Sequence, residues 1–209
     1  MQAFTPSFRE ELARLMRGRR DVRRFRRDAV DPAVLARCLE ALRLAPSVGL
    51  SEPWRLVSVT SEAARGAAFA NAEAANAEAL AGYHGEQAAL YARLKLHGIE
   101  EAPVQIAVFC DDATAKGAGL GARTMPEMRR YSAVAAIQNF WLAARAEGLG
   151  VGWVSILDPA QLAADLAVDP DWALVGYLCI GWPTAESETP ELERAGWEAR
   201  SQTLEMIER

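Results

Sequence analysis

The sequence is poor in the side chains that bind metals or form disulfides. Its three cysteines, Cys38, Cys110 and Cys179, are far apart and each lies in an apolar run. We therefore expect buried, reduced thiols, as in cytoplasmic proteins. Its two histidines, His84 and His97, are not accompanied by a pair of cysteines at ligand spacing. The sequence gives no support to a zinc site.

The sequence also lacks a long apolar run and an excess of positive charge. No stretch approaches the roughly 20 apolar residues that a membrane-spanning helix requires, and the first residues do not resemble a signal peptide. The formal net charge is −5, which argues against non-specific nucleic-acid binding because such binding needs many cations. We expect a cytoplasmic protein that binds neither nucleic acid nor a membrane.

Segments typical of strands alternate with segments typical of helices. The strongest strand pattern, 104–110, is almost continuously apolar and suits the centre of a sheet. Three further strand patterns lie at 54–59, 153–156 and 174–181. Together they predict one α+β domain over 1–209, with a central mixed sheet of four to five strands flanked by helices. An extended C-terminal tail, 184–209, follows the last strand.

One helical segment, 63–97, has an unusual composition. Its first part is rich in alanine, asparagine and glutamate, and Gly82 and Gly85 interrupt it. Small apolar side chains bury little area per residue. We therefore expect this segment to form a mobile helical lid rather than a part of the core.

Positive charge is concentrated in one short stretch. Seven arginines lie between Arg17 and Arg27, beginning where the first helical pattern ends. Guanidinium groups bind phosphate oxygens in pairs and keep their charge at any working pH. The single acidic residue among them is Asp21. The stretch indicates a specific anion site, with a solvated basic helix end as the alternative.

Two further loops combine glycine with serine. Ser47 and Ser51 flank Gly49 before the strand at 54–59, where hydroxyls and amides can meet the polar edge of a ligand. The glycines before the strand at 153–156 allow a flat ligand to approach the backbone, and Ser155 adds a hydroxyl near its end. A simple connection and a serine bonded within its own sheet remain the alternatives.

A third glycine-rich loop, 117–121, does not fit a dinucleotide-binding fingerprint. Six residues separate it from the strand at 104–110, whereas fingerprint glycines lie directly between a strand and a helix. We interpret it as a flexible loop.

Several motifs occur in the order typical of one family. They are Arg19-Arg20-Asp21-Val22-Arg23-Arg24-Phe25, Ala45-Pro46-Ser47-Val48-Gly49 with Pro53-Trp54, Leu94-Lys95-Leu96-His97-Gly98 leading to Glu101-Ala102-Pro103, Thr124-Met125-Pro126-Glu127-Met128 with Tyr131-Ser132, and Gly152-Trp153-Val154-Ser155-Ile156-Leu157. Along nearly the whole chain they resemble the nitroreductase-like FMN-binding proteins. Within that family they look like the 5,6-dimethylbenzimidazole synthase branch. The general family pattern has a serine at the position of Asp21.

The resemblance implies an unusual reaction. In that branch FMN is the substrate: reduced FMN, supplied by a separate flavin reductase, is fragmented by O2. The products are 5,6-dimethylbenzimidazole, the lower ligand of vitamin B12, and erythrose 4-phosphate. The resemblance also implies a homodimer with FMN at the interface, so that both chains contribute to the site.

The resemblance assigns roles to particular residues. Asp21 and Ser155 match the polar pair that flavin breakdown requires in that branch. The remaining assignments are to flavin binding: Arg19, Arg20 and Arg23, with Val22 beside them and Arg200 in the tail, for the phosphate and ribityl end; Ser47, Ser51, Pro53 and Trp54 for the ring and ribityl chain; and Gly152, Trp153, Val154 and Ser155 against the ring.

Three alternative functions remain open at this point. An NAD(P)H-dependent nitroreductase and a flavin-linked cobalt-corrinoid reductase, acting on cob(II)yrinic acid a,c-diamide, would have the same fold. Asp21 in place of serine is the feature that argues against both. The third alternative is a flavin-sequestering protein without catalytic activity.

Overall fold

A computed structural model describes residues 2–209, and its centre is an antiparallel sheet. The strands, in the order of the chain, are β1 (Trp54–Ser58), β2 (Val104–Asp111), β3 (Gly150–Val154) and β4 (Trp172–Gly181). Their order in the sheet is β1-β2-β4-β3, so β1 and β3 form its two edges. The three ladders are antiparallel, and a parallel pairing occurs as an isolated bridge between Asp21 and Val151.

Helices cover both faces of the sheet, which confirms the predicted α+β class. The helices are α1 (Pro6–Gly18), α2 (Pro32–Arg43), α3 (Glu62–Ala81), α4 (Gly85–Tyr91), α5 (Met128–Ala146), α6 (Pro159–Asp165) and α7 (Glu191–Arg194), with a 3-10 turn at Val48–Leu50. Side-chain caps fix several starts, as at Asp31, whose carboxylate accepts a hydrogen bond from the Ala33 amide. Within residues 2–209, no helix combines the length and apolar character needed to cross a membrane.

The central strands are apolar on both faces because each face packs against helices. Successive residues of a strand point to opposite faces, and β2 follows this rule. Val108 belongs to the core cluster that contains Phe140 of α5, whereas Phe109 belongs to the cluster that contains Leu162 of α6. The continuous apolar pattern of β2 therefore reflects two separate cores.

The segment expected to form a lid is largely helical, but part of α3 packs in the core. Ala68 and Ala72 of α3 have no exposed surface and belong to the same cluster as Leu162. Asn71, between them, is buried and bonds both backbone groups of Asp158 at the start of α6. The expectation that α3 lies outside the core is wrong for this part, because small side chains allow close helix packing even though they bury little area. The role of 63–97 as a lid stays a prediction.

The helices α1 and α5 differ strongly in burial. α5 places Ile137 and Phe140 entirely within the core. In α1 no residue is buried, and Phe8, Leu12 and Met16 form an exposed apolar stripe at the i, i+4 spacing of a helix face.

Candidate active site

The arginine stretch lies along the edge of β3 that is not paired with β4. After α1 ends at Gly18, the backbone continues beside β3, and the Val22 amide donates to the Val151 carbonyl at 3.0 Å. The glycines of β3 make this contact possible, because a Cβ on Gly150 would lie 2.7 Å from Cγ2 of Val22. These glycines are expected from the sequence to lie against a flat ligand, and in this chain Val22 packs against Gly150 and Gly152.

Both oxygens of the Asp21 carboxylate accept hydrogen bonds within the protein. Oδ1 accepts from the Trp153 amide at 2.9 Å, and Oδ2 accepts from Nε of Arg23 at 2.9 Å. Such double acceptance is the pattern of an ionised carboxylate. The side chain of Asp21 still keeps 33 % of its surface exposed. The carboxylate is therefore fixed in orientation and accessible from one side.

Ser155 lies close to this carboxylate along the chain direction of β3. It follows Val154, the last residue of the strand, and it is exposed. It lies two positions after Trp153, whose amide Asp21 binds, a distance of about 7 Å in an extended chain. Val154 itself is buried in the core cluster with Leu162, so its side chain does not line the edge. The structure thus brings the predicted pair to the same end of β3.

A second group of arginines surrounds Trp141. The guanidinium of Arg19 lies 4.6 Å from the centre of this indole ring. Burial lowers the pKa of Arg19, and the charge of Arg200 lowers it further. Burial is also the largest cause of the lowered pKa of Arg20, to which Arg200, Arg19 and Arg145 add. These cations therefore repel one another, and a bound anion would relieve that repulsion.

This cluster borders a groove between α1 and the C-terminal tail. The lining includes Leu12, Arg17, Arg20, Arg145, Glu188 and Arg200. Nε of Arg20 is buried and has no hydrogen-bond partner among residues 2–209. An unpaired buried donor costs free energy that an acceptor from a ligand would recover. The composition and the unpaired donor fit the phosphate end of FMN.

Arg23 is separated from that cluster, although the sequence analysis grouped it with the phosphate ligands. Besides its bond to Asp21, it donates from Nη1 to the Lys95 carbonyl at 3.0 Å. Only 12 % of its side-chain surface is exposed. Its guanidinium faces the segment that precedes β2 rather than the groove beside Arg20.

The other predicted flavin-binding residues lie in the loop before β1. This loop has positive φ angles at Gly49 (57°), Leu50 (54°) and Glu52 (41°), a conformation that costs free energy in residues other than glycine. Ser51 is buried, and its Oγ has no partner among the described residues. Ser47 accepts from the Glu52 amide at 3.1 Å and so stabilises the loop itself. Strain and an unpaired hydroxyl together indicate a loop shaped for a ligand.

The loop before β1 continues into residues that are largely enclosed. Pro53 is buried. Trp54, the first residue of β1, is half-buried and packs against the same core cluster as Trp153. These two residues fix the base of the loop, so its ligand-facing part is the segment 47–52.

Residues that the sequence analysis did not assign to the site hold this loop in place. The Ser132 hydroxyl accepts from the Val48 amide at 3.0 Å and donates to the Met128 carbonyl at 2.6 Å. Lys116 forms an ion pair with Glu52. Gly117 has a φ of 79°, and a Cβ there would collide with the backbone of Gly49. The sequence signal for this contact is the repeated glycine at 117–121. These glycines allow the segment to pack against the loop before β1.

The two groups of predicted residues lie at opposite edges of the sheet within one chain. Asp21 and Ser155 belong to the β3 edge, whereas the loop with Ser51 leads into β1. Three inter-strand spacings of about 4.8 Å separate these edges by about 14 Å. One copy of the chain therefore does not gather all of the predicted residues around a single point.

The comparisons with known proteins agree with one another. Residues 16–182 match the Nitroreductase family. A protein of Rhodospirillum rubrum named 5,6-dimethylbenzimidazole synthase is 56 % identical over 197 residues, which cover 94 % of this chain and 93 % of that protein. A protein of the same name from Rhodobacter capsulatus is 48 % identical over 195 residues, covering 93 % and 94 %.

A solved structure shares the whole fold. Oxidized iodotyrosine deiodinase, crystallised with FMN and 3-iodo-L-tyrosine, matches with a TM-score of 0.72. The alignment covers 95 % of this chain and 97 % of that one at 21 % sequence identity. At this identity the likeness concerns the fold alone.

Proposed function

The chain belongs to the nitroreductase family, and from that premise we propose that it is a 5,6-dimethylbenzimidazole synthase. The observation that carries the proposal is the match, along more than nine-tenths of the chain, to relatives of that name. Asp21 supports it independently, because a fixed carboxylate lies at the position where the general family pattern has serine.

The proposed substrates are reduced FMN and O2, and the proposed products are 5,6-dimethylbenzimidazole and erythrose 4-phosphate, with the pyrimidine part of the flavin ring leaving as a further fragment. Reduced FMN brings the ring carbons and the electrons that O2 accepts, and a separate flavin reductase would supply it. Arg19, Arg20 and Arg200 would hold the phosphate, since each charge-assisted bond contributes about 1.5–3 kcal/mol. Ser51, whose hydroxyl is unpaired, would bind a polar atom of the flavin.

In this proposal Asp21 acts as a general base at the ribityl end of the substrate. Its carboxylate is held by the Trp153 amide and by Arg23, and its exposed side leaves room to accept a proton. The Ser155 hydroxyl would orient the reacting group by a hydrogen bond. A positioned general base accelerates such a step by about 10²–10⁴-fold.

We also propose that the working site lies between two copies of the chain. The separation of the β3 edge from the loop before β1 supports this, because a second copy can bring its loop to the first copy's β3 edge. Exposed apolar side chains provide surface for association. They lie on α1, at Phe8 and Met16, and on α5, at Tyr131 and Val134.

The reaction is tested with FMN reduced without oxygen, mixed with an equal amount of protein and then exposed to air. Chromatography with mass detection should show loss of FMN and formation of a compound with the mass of 5,6-dimethylbenzimidazole. The Asp21→Asn variant serves as the matched control and should leave FMN intact. Intact FMN with the unaltered protein, together with steady NAD(P)H oxidation on a nitroaromatic acceptor, would contradict the proposal.

The shared site is tested by mixing two inactive variants, one altered at each edge of the sheet. Asp21→Asn and Ser51→Ala chains, refolded together in equal amounts and assayed at an FMN concentration too low for Ser51→Ala alone to act, should regain about a quarter of the activity if each site of a two-fold dimer draws on both chains. Sedimentation should give twice the chain mass of 22.7 kDa. Full activity of a monomeric fraction would contradict this part of the proposal.

A further inference from the structure

We propose that Arg23 is a positioning residue for the Asp21 carboxylate and is not a ligand of the substrate phosphate. This inference rests on the proposed function only for the role of Asp21. Its structural basis is the pair of bonds that Arg23 makes: Nε donates to Asp21 at 2.9 Å and Nη1 donates to the Lys95 carbonyl at 3.0 Å.

The extended backbone of the arginine stretch explains why these two side chains meet. Residues i and i+2 of an extended chain point to the same side. Asp21 and Arg23 therefore share one side, while Val22 points to the other and packs against the glycines of β3. The Val22 amide is itself bonded to Val151. The backbone contact with β3 thus sets the direction of both charged side chains.

The far end of Arg23 is held by a segment with its own supports. Lys95, which supplies the carbonyl, forms an ion pair with Glu101. His97 lies 3.0 Å from the Glu73 carboxylate of α3. The adjacent Gly98 packs against the ring of Phe25, where a Cβ would lie 2.5 Å from Cε2. The guanidinium is thus braced between a fixed carbonyl and the carboxylate that it orients.

The neighbouring arginines differ from Arg23 in their partners. Nε of Arg20 has no partner and its side chain borders the groove with Arg200. Arg24 pairs with Glu191, and 53 % of its side-chain surface is exposed. Arg23 alone of the three bonds to Asp21 within residues 2–209. Without it, Oδ2 of Asp21 loses its partner and the carboxylate can turn away from the Trp153 amide.

The test compares Arg23→Gln with Arg24→Gln as the matched control. Arg23→Gln should lower the rate of product formation by about 10–100-fold, because misplacement of a catalytic group by about 1 Å has effects of this size. The dissociation constants of oxidised FMN and of riboflavin, measured by fluorescence quenching, should change less than about threefold, since flavin contacts remain. Arg24→Gln should alter neither quantity.

A double-variant comparison separates positioning from an independent role. If Arg23 acts through Asp21, the Asp21→Asn/Arg23→Gln protein should be no slower than Asp21→Asn alone. Effects that multiply in the double variant would overturn the inference. A tenfold or larger loss of FMN affinity with unchanged riboflavin affinity would also overturn it, and would return Arg23 to the phosphate.

A measurement on the ligand-free protein keeps the inference testable whatever the reaction proves to be. Hydrogen exchange at the Trp153 amide should accelerate in Arg23→Gln and stay unchanged in Arg24→Gln. If Arg23→Gln does not fold, Arg23→Lys is the second variant. It keeps the positive charge but lacks the guanidinium fork that spans Asp21 and Lys95. Arg23→Lys should show the same acceleration of exchange at the Trp153 amide as Arg23→Gln. Unchanged exchange in a folded variant would contradict the inference even if the unaltered protein makes 5,6-dimethylbenzimidazole.

Discussion

The two regions that carry the candidate site differ in how far the chain satisfies its own polar groups. At the β3 edge, both oxygens of Asp21 and two groups of Arg23 have partners within the protein. In the loop before β1, the Ser51 hydroxyl lacks a partner among residues 2–209 and Leu50 is 75 % exposed with a positive φ angle. The first region is organised before any ligand binds, whereas the second is shaped to receive contacts from outside.

The sheet topology explains this difference. Asp21 and Val22 bond to Trp153 and Val151 of β3, and these contacts fix the carboxylate beside the strand. The loop before β1 is held by Ser132, Lys116 and the glycine-rich loop, none of which bonds the Ser51 hydroxyl. Changes to Asp21 and Arg23 at the β3 edge should therefore affect turnover, and changes in the loop should affect binding and association.

The largest expected effect is that of Asp21→Asn. It should reduce product formation by about 10²–10⁴-fold because the amide does not act as a general base. FMN should remain bound, as measured by fluorescence quenching. Asp28→Asn, which alters an exposed carboxylate beside Arg26, is the control. If Asp21→Asn instead releases FMN, the β3 edge is a binding region and the contrast between the two regions fails.

The next effect is the loss of FMN affinity in Arg20→Gln. Removing one charge-assisted bond to a phosphate should cost about 1.5–3 kcal/mol, or about 10–150-fold in the dissociation constant. Riboflavin, which lacks the phosphate, should bind as before. Arg9→Gln on the exposed face of α1 should change neither affinity. Equal losses for FMN and riboflavin would show that Arg20 contacts the ring or the ribityl chain.

The loop before β1 is tested by Gly49→Ala. The φ angle is 57°, and a Cβ would lie 2.9 Å from the Leu120 carbonyl oxygen. We expect a loss of about 1–3 kcal/mol in the free energy of unfolding, measured in urea. Gly66→Ala is the control, since nothing lies within 4 Å of its added Cβ within α3. That change should stabilise the protein by about 0.5–1 kcal/mol.

A smaller effect is expected for Ser51→Ala. Because the buried hydroxyl has no partner in the protein, its removal should change the free energy of unfolding by less than about 1 kcal/mol, and in the stabilising direction. FMN affinity should fall. Ser132→Ala is the contrasting variant. The Ser132 hydroxyl bonds Val48 and Met128, so its removal should destabilise the protein. A marked destabilisation by Ser51→Ala would remove the distinction between the two regions.

The smallest effect concerns one thiol behind each region. Burial raises the pKa of Cys110, which is paired with Trp54, and that of Cys179, which is paired with Gly152, from 9.0 to about 12. A raised pKa in the folded state gives stability that is complete below pH 9 and is lost as the pH rises toward 12. The free energy of unfolding, measured in urea, should therefore fall as the pH rises through this window. Cys110→Ala and Cys179→Ala should reduce the pH dependence of the free energy of unfolding equally. Unequal changes would show that water reaches one of the two thiols more easily.

Much of the fold followed from sequence because the signals are local. The apolar run of β2 and the arginine stretch directly after α1 each depend on neighbouring residues. The proximity of Asp21 to the β3 segment came from the family resemblance. Composition alone gave the wrong expectation for α3, since it does not show that Ala68 and Ala72 meet Leu162 of α6.

The features that escaped prediction depend on contacts between distant parts of the chain. The bond from Arg23 to Lys95 spans 72 residues and depends on how the arginine stretch aligns with β3. The placement of Ser51 and Asp21 at opposite edges depends on strand order, which residue patterns do not specify. The bracing of the loop by Gly117 joins two segments whose glycines separately indicate only turns.

The covering of β3 by the arginine stretch also protects the protein against aggregation. An exposed edge strand offers unpaired amides and carbonyls to strands of other molecules. Here the Val22 amide and the Asp21 carboxylate take up the groups of Val151 and Trp153. Two copies cannot extend their sheets through this edge. In the proposed dimer this leaves other surfaces for contact between the copies, such as the exposed apolar side chains of α1 and α5.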